Sequence, residues 1–406
     1  MTSEVRSKKN LTPILLILII MSVLTLTKFL ILFAGWGEYF KNIIWAFDER
    51  PLFYDHFDHI KYSLQGNITG VYNVNVNACF PAFAYFFYGF LAHLCTVDQV
   101  GTADFAHVLN TNSGVVTLVF VYGIFFVSIA LLLSKQLTSK IGEYYTNAFI
   151  ILLLLSSIFL MTVASGNLTI GAMILTLFSL YFRDSKSAAL RELSMIMLAM
   201  AASLKVYPAI WGLLYIKEKR YKDAIKQIIY GILFFLVPFA FFGGVGGFIQ
   251  FIKNLAQVSK IVTSISLVGI LHKFFSFFLN DQMATILARI IDYLYLITTV
   301  LLVFLRKKID WKSYALFAGA MFIFNTESGS YCMIYWTIAI VAFVSEIGAK
   351  RDASVLEYIY AILFAVSFSG ISVFGLGSSV IPSTCLYAII LIVIVDSFIE
   401  LLPQKK

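Results

Sequence analysis

Between Phe53 and Tyr62 the chain reads Phe-Tyr-Asp-His-Phe-Asp-His-Ile-Lys-Tyr, which places Asp55, His56, Asp58 and His59 almost side by side. On a helix Asp55 lies three residues from Asp58 and four from His59, so the three share one face while Phe57 and Ile60 help to form an apolar side. A carboxylate near a low-dielectric boundary gains proton affinity by desolvation, which suits it to act as a general base toward a hydroxyl nucleophile. The same pattern also fits an amphipathic helix capped by a solvated acidic face. Metal ligation by His56, His59 and the two aspartates is a third reading, although the spacing matches none of the standard zinc or calcium patterns.

Lys205 is the second informative residue, because it stands between Ala-Ala-Ser-Leu and Val-Tyr-Pro inside an apolar stretch. A charge within a membrane is costly and tends to be retained for a task. An ammonium there can neutralise the phosphate of an embedded ligand, or it can snorkel to the interface. Asn167, in Ser165-Gly166-Asn167, opens another short apolar segment, where it serves either to meet an anion or as an ordinary helix cap. His272-Lys273 and Ser328-Gly329-Ser330-Tyr331 flank further apolar pieces. Taken singly, His272 reads as a packed histidine and Tyr331 as an interfacial anchor. The triplets Asn67-Ile68-Thr69 and Asn167-Leu168-Thr169 match glycosylation acceptors, a pattern common by chance, and receive no role.

These residues are carried by a chain of 406 residues that is 60% hydrophobic and only 13% charged, with 39 Phe and 22 Tyr. Its mean hydropathy is +0.88. Ordinary globular domains are roughly 45–50% apolar and about 25% charged, so the composition describes an all-α polytopic membrane protein and excludes disorder, a disulfide scaffold and a soluble dinucleotide-binding enzyme. The net charge of +8 comes from short basic clusters between apolar runs, which is the pattern of cytoplasmic loops and not of a nucleic-acid surface. Cys79, Cys95, Cys332 and Cys385 occur singly, with neither zinc nor disulfide spacing.

Length and basic loops then order the chain. Residues 1–10 form an inner tail and 11–36 a first, uncleaved span. Further segments at 113–134, 146–164, 168–182, 193–204, 206–216, 227–243, 284–305, 313–325, 331–348, 354–374 and 380–402 bring the expected bundle to about 12 transmembrane helices. The basic connections Lys135–Lys140, Arg183–Arg191, Lys217–Lys226, Arg306–Lys312, Lys350–Arg351 and Lys405–Lys406 belong inside. That assignment sends Asp55, Asn167, Lys205, His272 and Tyr331 to one outer side. The pieces 80–95 and 264–279 are short, and they read as interfacial or re-entrant helices. The hydrophilic segment 37–79, which includes Phe47-Asp48-Glu49-Arg50, is an outer loop containing an interfacial helix. Residues 80–243 form an N-terminal module, 244–283 an outer loop with a partly inserted helix, and 284–406 the C-terminal spans. The segments at 193–216 read as a shallow hairpin broken before Pro208.

With these residues in view, the sequence resembles the GT-C superfamily of polytopic glycosyltransferases, and specifically glycosyltransferase family 87. Phe53-Tyr54-Asp55-His56-Phe57 is similar to the family's aspartate-containing first loop, and Phe80-Pro81-Ala82 stands where a Tyr-Pro-Pro segment follows it. Ser165-Gly166-Asn167 is similar to an Arg-Gly-Asn turn without the arginine. Leu204-Lys205-Val206-Tyr207-Pro208 resembles an alanine-rich Lys-x-Tyr-Pro hairpin. A paired histidine in a late outer turn has no counterpart, since Thr326–Tyr331 occupies that place. The resemblance implies a GT-C-like bundle that takes a hexose, mannose by family expectation, from a polyprenyl-phosphate-sugar donor to a lipid-linked or glycan acceptor at the outer leaflet. Asp55 would then be the base, with Asp58 its neighbour. Lys205, Tyr207, Asn167 and His272 would bind the donor phosphate, and His59 and Tyr331 the acceptor or sugar. A monophosphate leaving group carries modest charge, so one or two cations serve without a metal or other cofactor. The partners implied are lipid substrates and the bilayer of a bacterial inner membrane, with the site facing the periplasm. A lipid-linked-sugar flippase or transporter shares the composition and is the alternative, and a polysaccharide polymerase, which expects a large late outer loop, comes third.

Overall fold

The computed structural model describes residues 11–34, 53–67, 69–94, 112–258, 263, 265–324, 330–350, 352–370 and 380–402, and these are helical with no strand among them. In chain order the helices are α1 (Thr12–Phe33), α2 (Tyr54–Gln65), α3 (Val71–Val74), α4 (Ala82–Leu94), α5 (Asn112–Ile141), α6 (Glu143–Leu154), α7 (Ser157–Ser165), α8 (Thr169–Phe182) and α9 (Ala188–Leu204). A 3-10 turn over Tyr207–Gly212 leads to α10 (Leu213–Lys217), α11 (Tyr221–Leu236), α12 (Gly244–Val258), α13 (Leu267–Phe275) and α14 (Asp281–Leu305). Then come α15 (Trp311–Phe324), a 3-10 turn over Ser330–Tyr335, α16 (Trp336–Ile347), α17 (Val355–Ser369) and α18 (Val380–Leu401).

Five of the described stretches are long and apolar enough to cross a bilayer, namely those in α1, α5, α14 and α18 and the stretch Tyr221–Phe241. The pair α6 and α7, bent by 46°, makes a sixth if it is one broken span. A multi-pass membrane protein follows directly, because the outward residues of these helices are apolar: Val119, Leu131, Ile228, Leu294 and Val395 are each more than half exposed. The expected spans at 168–182, 331–348 and 354–374 correspond to shorter apolar helices. Helix α8, with 14 residues, covers about 21 Å at 1.5 Å per residue, less than the ~30 Å hydrocarbon core. The shortness has a structural counterpart. Helices α7 and α8 break off at the Ser165-Gly166-Asn167 turn, which meets the first-loop helix α2, and α9 stops at Leu204.

The opposite end of the bundle is tied by charge. Arg183 bonds to Asp184 (3.0 Å) and Glu218 (2.9 Å), and Arg220 joins Asp184 (2.9 Å) and Asp223 (2.9 Å). Lys217 donates to the carbonyls of Val303 and Arg306, Arg306 pairs with Asp310 (2.6 Å) and Glu400 (3.0 Å), and Lys312 pairs with Asp396 and Glu400. A capping box at Ser354 and Glu357 starts α17, and Lys350 reaches the same Glu357. Gly348 lies against Ile141 and the Lys140 carbonyl. Five of the six basic connections therefore share one end, as the pattern of lysine and arginine predicts; Lys405–Lys406 lies outside the described residues. A cavity of about 900 Å³ opens there, with most of its carboxylates engaged by the ion pairs just named.

Two elements differ from expectation. The segment 244–258, expected as an outer loop, is helix α12, whose glycine-rich start hides an inward face of Phe248, Phe251, Asn254 and Val258. Asn254 Nδ2 donates to the carbonyls of Tyr72 (2.9 Å) and Ala78 (3.1 Å), and so pins the connection that leads to Phe80. A second intramembrane lysine, Lys28, is buried in α1, where it donates to Ser157 Oγ; Ser157 in turn donates to the Ser369 carbonyl (2.8 Å). That relay joins α1, α7 and α17.

Candidate active site

The first-loop helix is set by its contact with a turn 110 residues later in the chain. Gly166 has φ +72°, and a Cβ on it would come within 2.8 Å of His56 Cβ and 2.9 Å of Phe53 Cα. Only glycine combines that backbone conformation with so close an approach. Phe53, itself at φ 60°, donates its N–H to the Ala164 carbonyl (2.6 Å), so the last turn of α7 holds the start of α2. Gly166→Ala is therefore expected to destabilise the protein by about 1–3 kcal/mol, read as a lower melting temperature in detergent. An unchanged melting temperature would contradict this packing.

The docking brings Asp55 to Asn167. Asn167 Nδ2 donates to Asp55 Oδ2 at 2.5 Å, while its Oδ1 accepts from Thr169 N–H (3.0 Å) and Thr169 Oγ1 (2.6 Å). The polar end of the carboxamide that expectation assigned to a donor phosphate thus faces the carboxylate. Asp55 is part-buried. Asp58, one turn along, lies near Tyr62, whose phenol is held at about 12 by burial first and the Asp58 charge second.

Both histidines of α2 point into protein. His56 Nε2 meets Thr117 Oγ1 at 3.2 Å, and burial lowers its pKa to about 4. His59, 3% exposed, meets the Tyr85 hydroxyl at 2.9 Å through Nδ1 and stacks on Phe80 (4.0 Å between ring centroids) and Tyr88 (5.1 Å). Its pKa lies well below the usual histidine value, chiefly through burial and next through the charge of Lys205. The apolar side of α2 accordingly includes His56 and His59 beside Phe57 and Ile60, and His59 is turned from the Asp55 face into the aromatic wall. Because His56 binds a proton more readily unfolded, near 6.5, than folded, near 4, stability is expected to fall as pH drops from about 6.5 toward 4. The full effect is about 3 kcal/mol. Melting curves across that range test it: His56→Gln should flatten the fall, and an unchanged slope would contradict the assignment.

Lys205 ends α9. Its backbone is extended (φ −144°, ψ 130°), the chain turns at Val206, and Pro208 sits at the start of the 3-10 turn, so the lysine stands in the break that the sequence places before Pro208. The side chain is 7% exposed, with Nζ 3.5 Å from the centroid of the Phe80 ring and 5.8 Å from that of Tyr331. An ammonium over aromatic faces keeps its charge at lower desolvation cost than in hydrocarbon. The Tyr207 hydroxyl meets Cys332 Sγ at 3.4 Å, and its ring packs edge-on against Tyr335 at 5.7 Å, which joins the lysine's turn to the 330–335 turn.

The structure therefore gathers Asp55, Asp58, His59, Asn167, Lys205, Tyr207 and Tyr331 at one end of the bundle. The path is short: Asp55 is one turn from His59, His59 stacks on Phe80, and Phe80 lies under Lys205. His272 is engaged elsewhere, its Nε2 2.9 Å from Asp281 Oδ1 on the exposed pairing of α13 with α14. The sequence singles out neither Phe80 as the platform for Lys205 nor Thr169 as the partner of Asn167. The first pairing spans 125 residues and has no local signal. The second has one, since an Asn side chain commonly accepts from the backbone N–H two residues on.

The chain is thus a multi-pass helical membrane protein with a carboxylate and an ammonium at one end, set among aromatic rings. The particular family follows from comparison: the model of glycosyltransferase family 87 matches residues 81–326, more than half of the chain, and the protein belongs to that family. Asn167, Lys205, Tyr207 and His272 fall within the matched segment, whereas Asp55, Asp58 and His59 precede it and Tyr331 follows it. No curated protein and no solved structure matches the chain.

Proposed function

We propose that the protein transfers a hexose, mannose being the family expectation, from a polyprenyl-phosphate-sugar to a lipid-linked or glycan acceptor at the outer leaflet of a bacterial inner membrane, with inversion at the anomeric carbon. The observation that carries this reading is that Asp55, bonded to Asn167, and Lys205, lying over Phe80, stand at one end of the bundle, with His59 of the Asp55 helix stacked on that same Phe80 ring. Asp55 accepts the proton of the acceptor hydroxyl, the oxygen attacks the anomeric carbon, and the bond from that carbon to the lipid phosphate breaks. Lys205 stabilises the charge that collects on the departing phosphate, where a preformed cation in a water-poor site acts most strongly. Asn167 orients Asp55, and Tyr331 and the Tyr207 turn lie beside the lysine that meets the phosphate. Asp58 supports the carboxylate face. His59, closed in by rings, positions Phe80 and has no direct role toward sugar. His272 is left out of the set because Asp281 holds it.

The end tied by Arg183, Arg306 and their partners is cytoplasmic in this reading, which turns Asp55 and Lys205 to the periplasm. Purified protein supplied with radiolabelled polyprenyl-phosphate hexose tests the proposal. Formation of a glycosidic product supports it. Movement of the donor across vesicles without a new glycosidic bond would instead make the protein a flippase.

A further inference from the structure

The triplet Asn167-Leu168-Thr169 has the form of a glycosylation acceptor, yet Asn167 is 1% exposed and Thr169 fully buried. Their side chains are committed to one another and to Asp55. A carboxamide can present either an N–H₂ or a C=O to a neighbour, and the two ends have opposite effects on a carboxylate. Donation from N–H favours the ionised carboxylate, whereas a facing C=O requires the carboxylic acid. Here the choice is settled by Thr169. Its backbone N–H can only donate, at 3.0 Å, and its hydroxyl adds a second contact at 2.6 Å, so the atom they hold is the carbonyl oxygen. The N–H₂ is left to face Asp55 at 2.5 Å.

We propose that the Thr169 side chain is a positioning group for the transfer reaction: its hydroxyl, added to the backbone N–H on Asn167 Oδ1, holds the carboxamide with its N–H₂ toward Asp55, which favours the ionised carboxylate that accepts the proton. The inference rests on the reading of Asp55 as the base. Other described groups also face Asp55, Tyr62 of its own helix among them. On its own helix are Asp58 and the two histidines, which burial keeps neutral. From α4 and α5 the phenols of Tyr88 and Tyr122 lie within reach of its charge. Lys205 stands beyond His59 and Phe80.

The test is the pH dependence of kcat/KM for Thr169→Val and Thr169→Ser, with Asp55→Asn alongside. Valine keeps the approximate shape of the side chain and removes the hydroxyl, leaving one of the two contacts on Oδ1. Its acid limb is expected to move up by about one pH unit, a loss of about tenfold on that limb with less than threefold on the alkaline side. Serine should restore the wild-type profile. If valine does not yield folded protein, Thr169→Ala removes the same hydroxyl and gives the same comparison. A loss uniform across pH, or no change, overturns the role given to the Thr169 side chain and leaves its hydroxyl a structural contact at the start of α8. An active Asp55→Asn protein overturns the underlying reading instead, so the two failures are told apart.

Discussion

Asp55→Asn is expected to lower sugar transfer by about 10²- to 10⁴-fold, the usual contribution of a positioned general base, while the protein stays folded. The fold survives because asparagine is nearly the same shape and can turn its own carbonyl to accept from Asn167 Nδ2, the contact now made at 2.5 Å. What it cannot do is take the proton of the attacking hydroxyl. The measurement is the initial rate of labelled hexose transfer, together with the melting temperature. A rate within a few-fold of wild type would remove Asp55 from the chemistry. Asp58→Asn should cost much less, because it is Asp55 that Asn167 Nδ2 holds.

The second large effect is expected at Lys205. Methionine keeps the unbranched stem that lies over Phe80, 3.5 Å from Nζ to the ring centroid, and removes only the ammonium. Loss of one preorganised charge-stabilising donor at a leaving group costs about 10²- to 10³-fold in kcat. The effect belongs in kcat because the phosphate gains charge as the bond to the sugar breaks, so the cation binds the transition state more strongly than the intact donor. Arginine should recover little activity, since its planar fork does not fit a position closed by Phe80 and Tyr331. A variant that changes KM and spares kcat would assign Lys205 to ground-state binding alone.

Much of this arrangement is legible in the residues, for reasons that can be named. Apolar length and basic loops place the helices, because the bilayer imposes both. Pro208 and the preceding lysine mark the break after α9, because proline cannot continue a helix. The Asp55 helix is legible from its polar face. Its inward side is not: His56 and His59 look like surface residues until Thr117 and Tyr85 are known to receive them. Helix α12 is obscured by four glycines near its start, and its anchor, Asn254, bonds to backbone about 180 residues earlier in the chain. Lys28, within the first span, satisfies the same rule that singles out Lys205, and its partner Ser157 lies on another helix. In each case the missing information is a long-range pairing, which local pattern does not encode.

The account stands on Asp55 and Lys205 serving one reaction across the Phe80 ring. A double-variant cycle on kcat/KM measures this directly, using Asp55→Asn, Lys205→Met and the combined protein. Residues acting on one transition state are strongly non-additive, so the combined variant is predicted to be within about tenfold of the weaker single variant. Losses that multiply in full, as for two independent sites, would contradict the account.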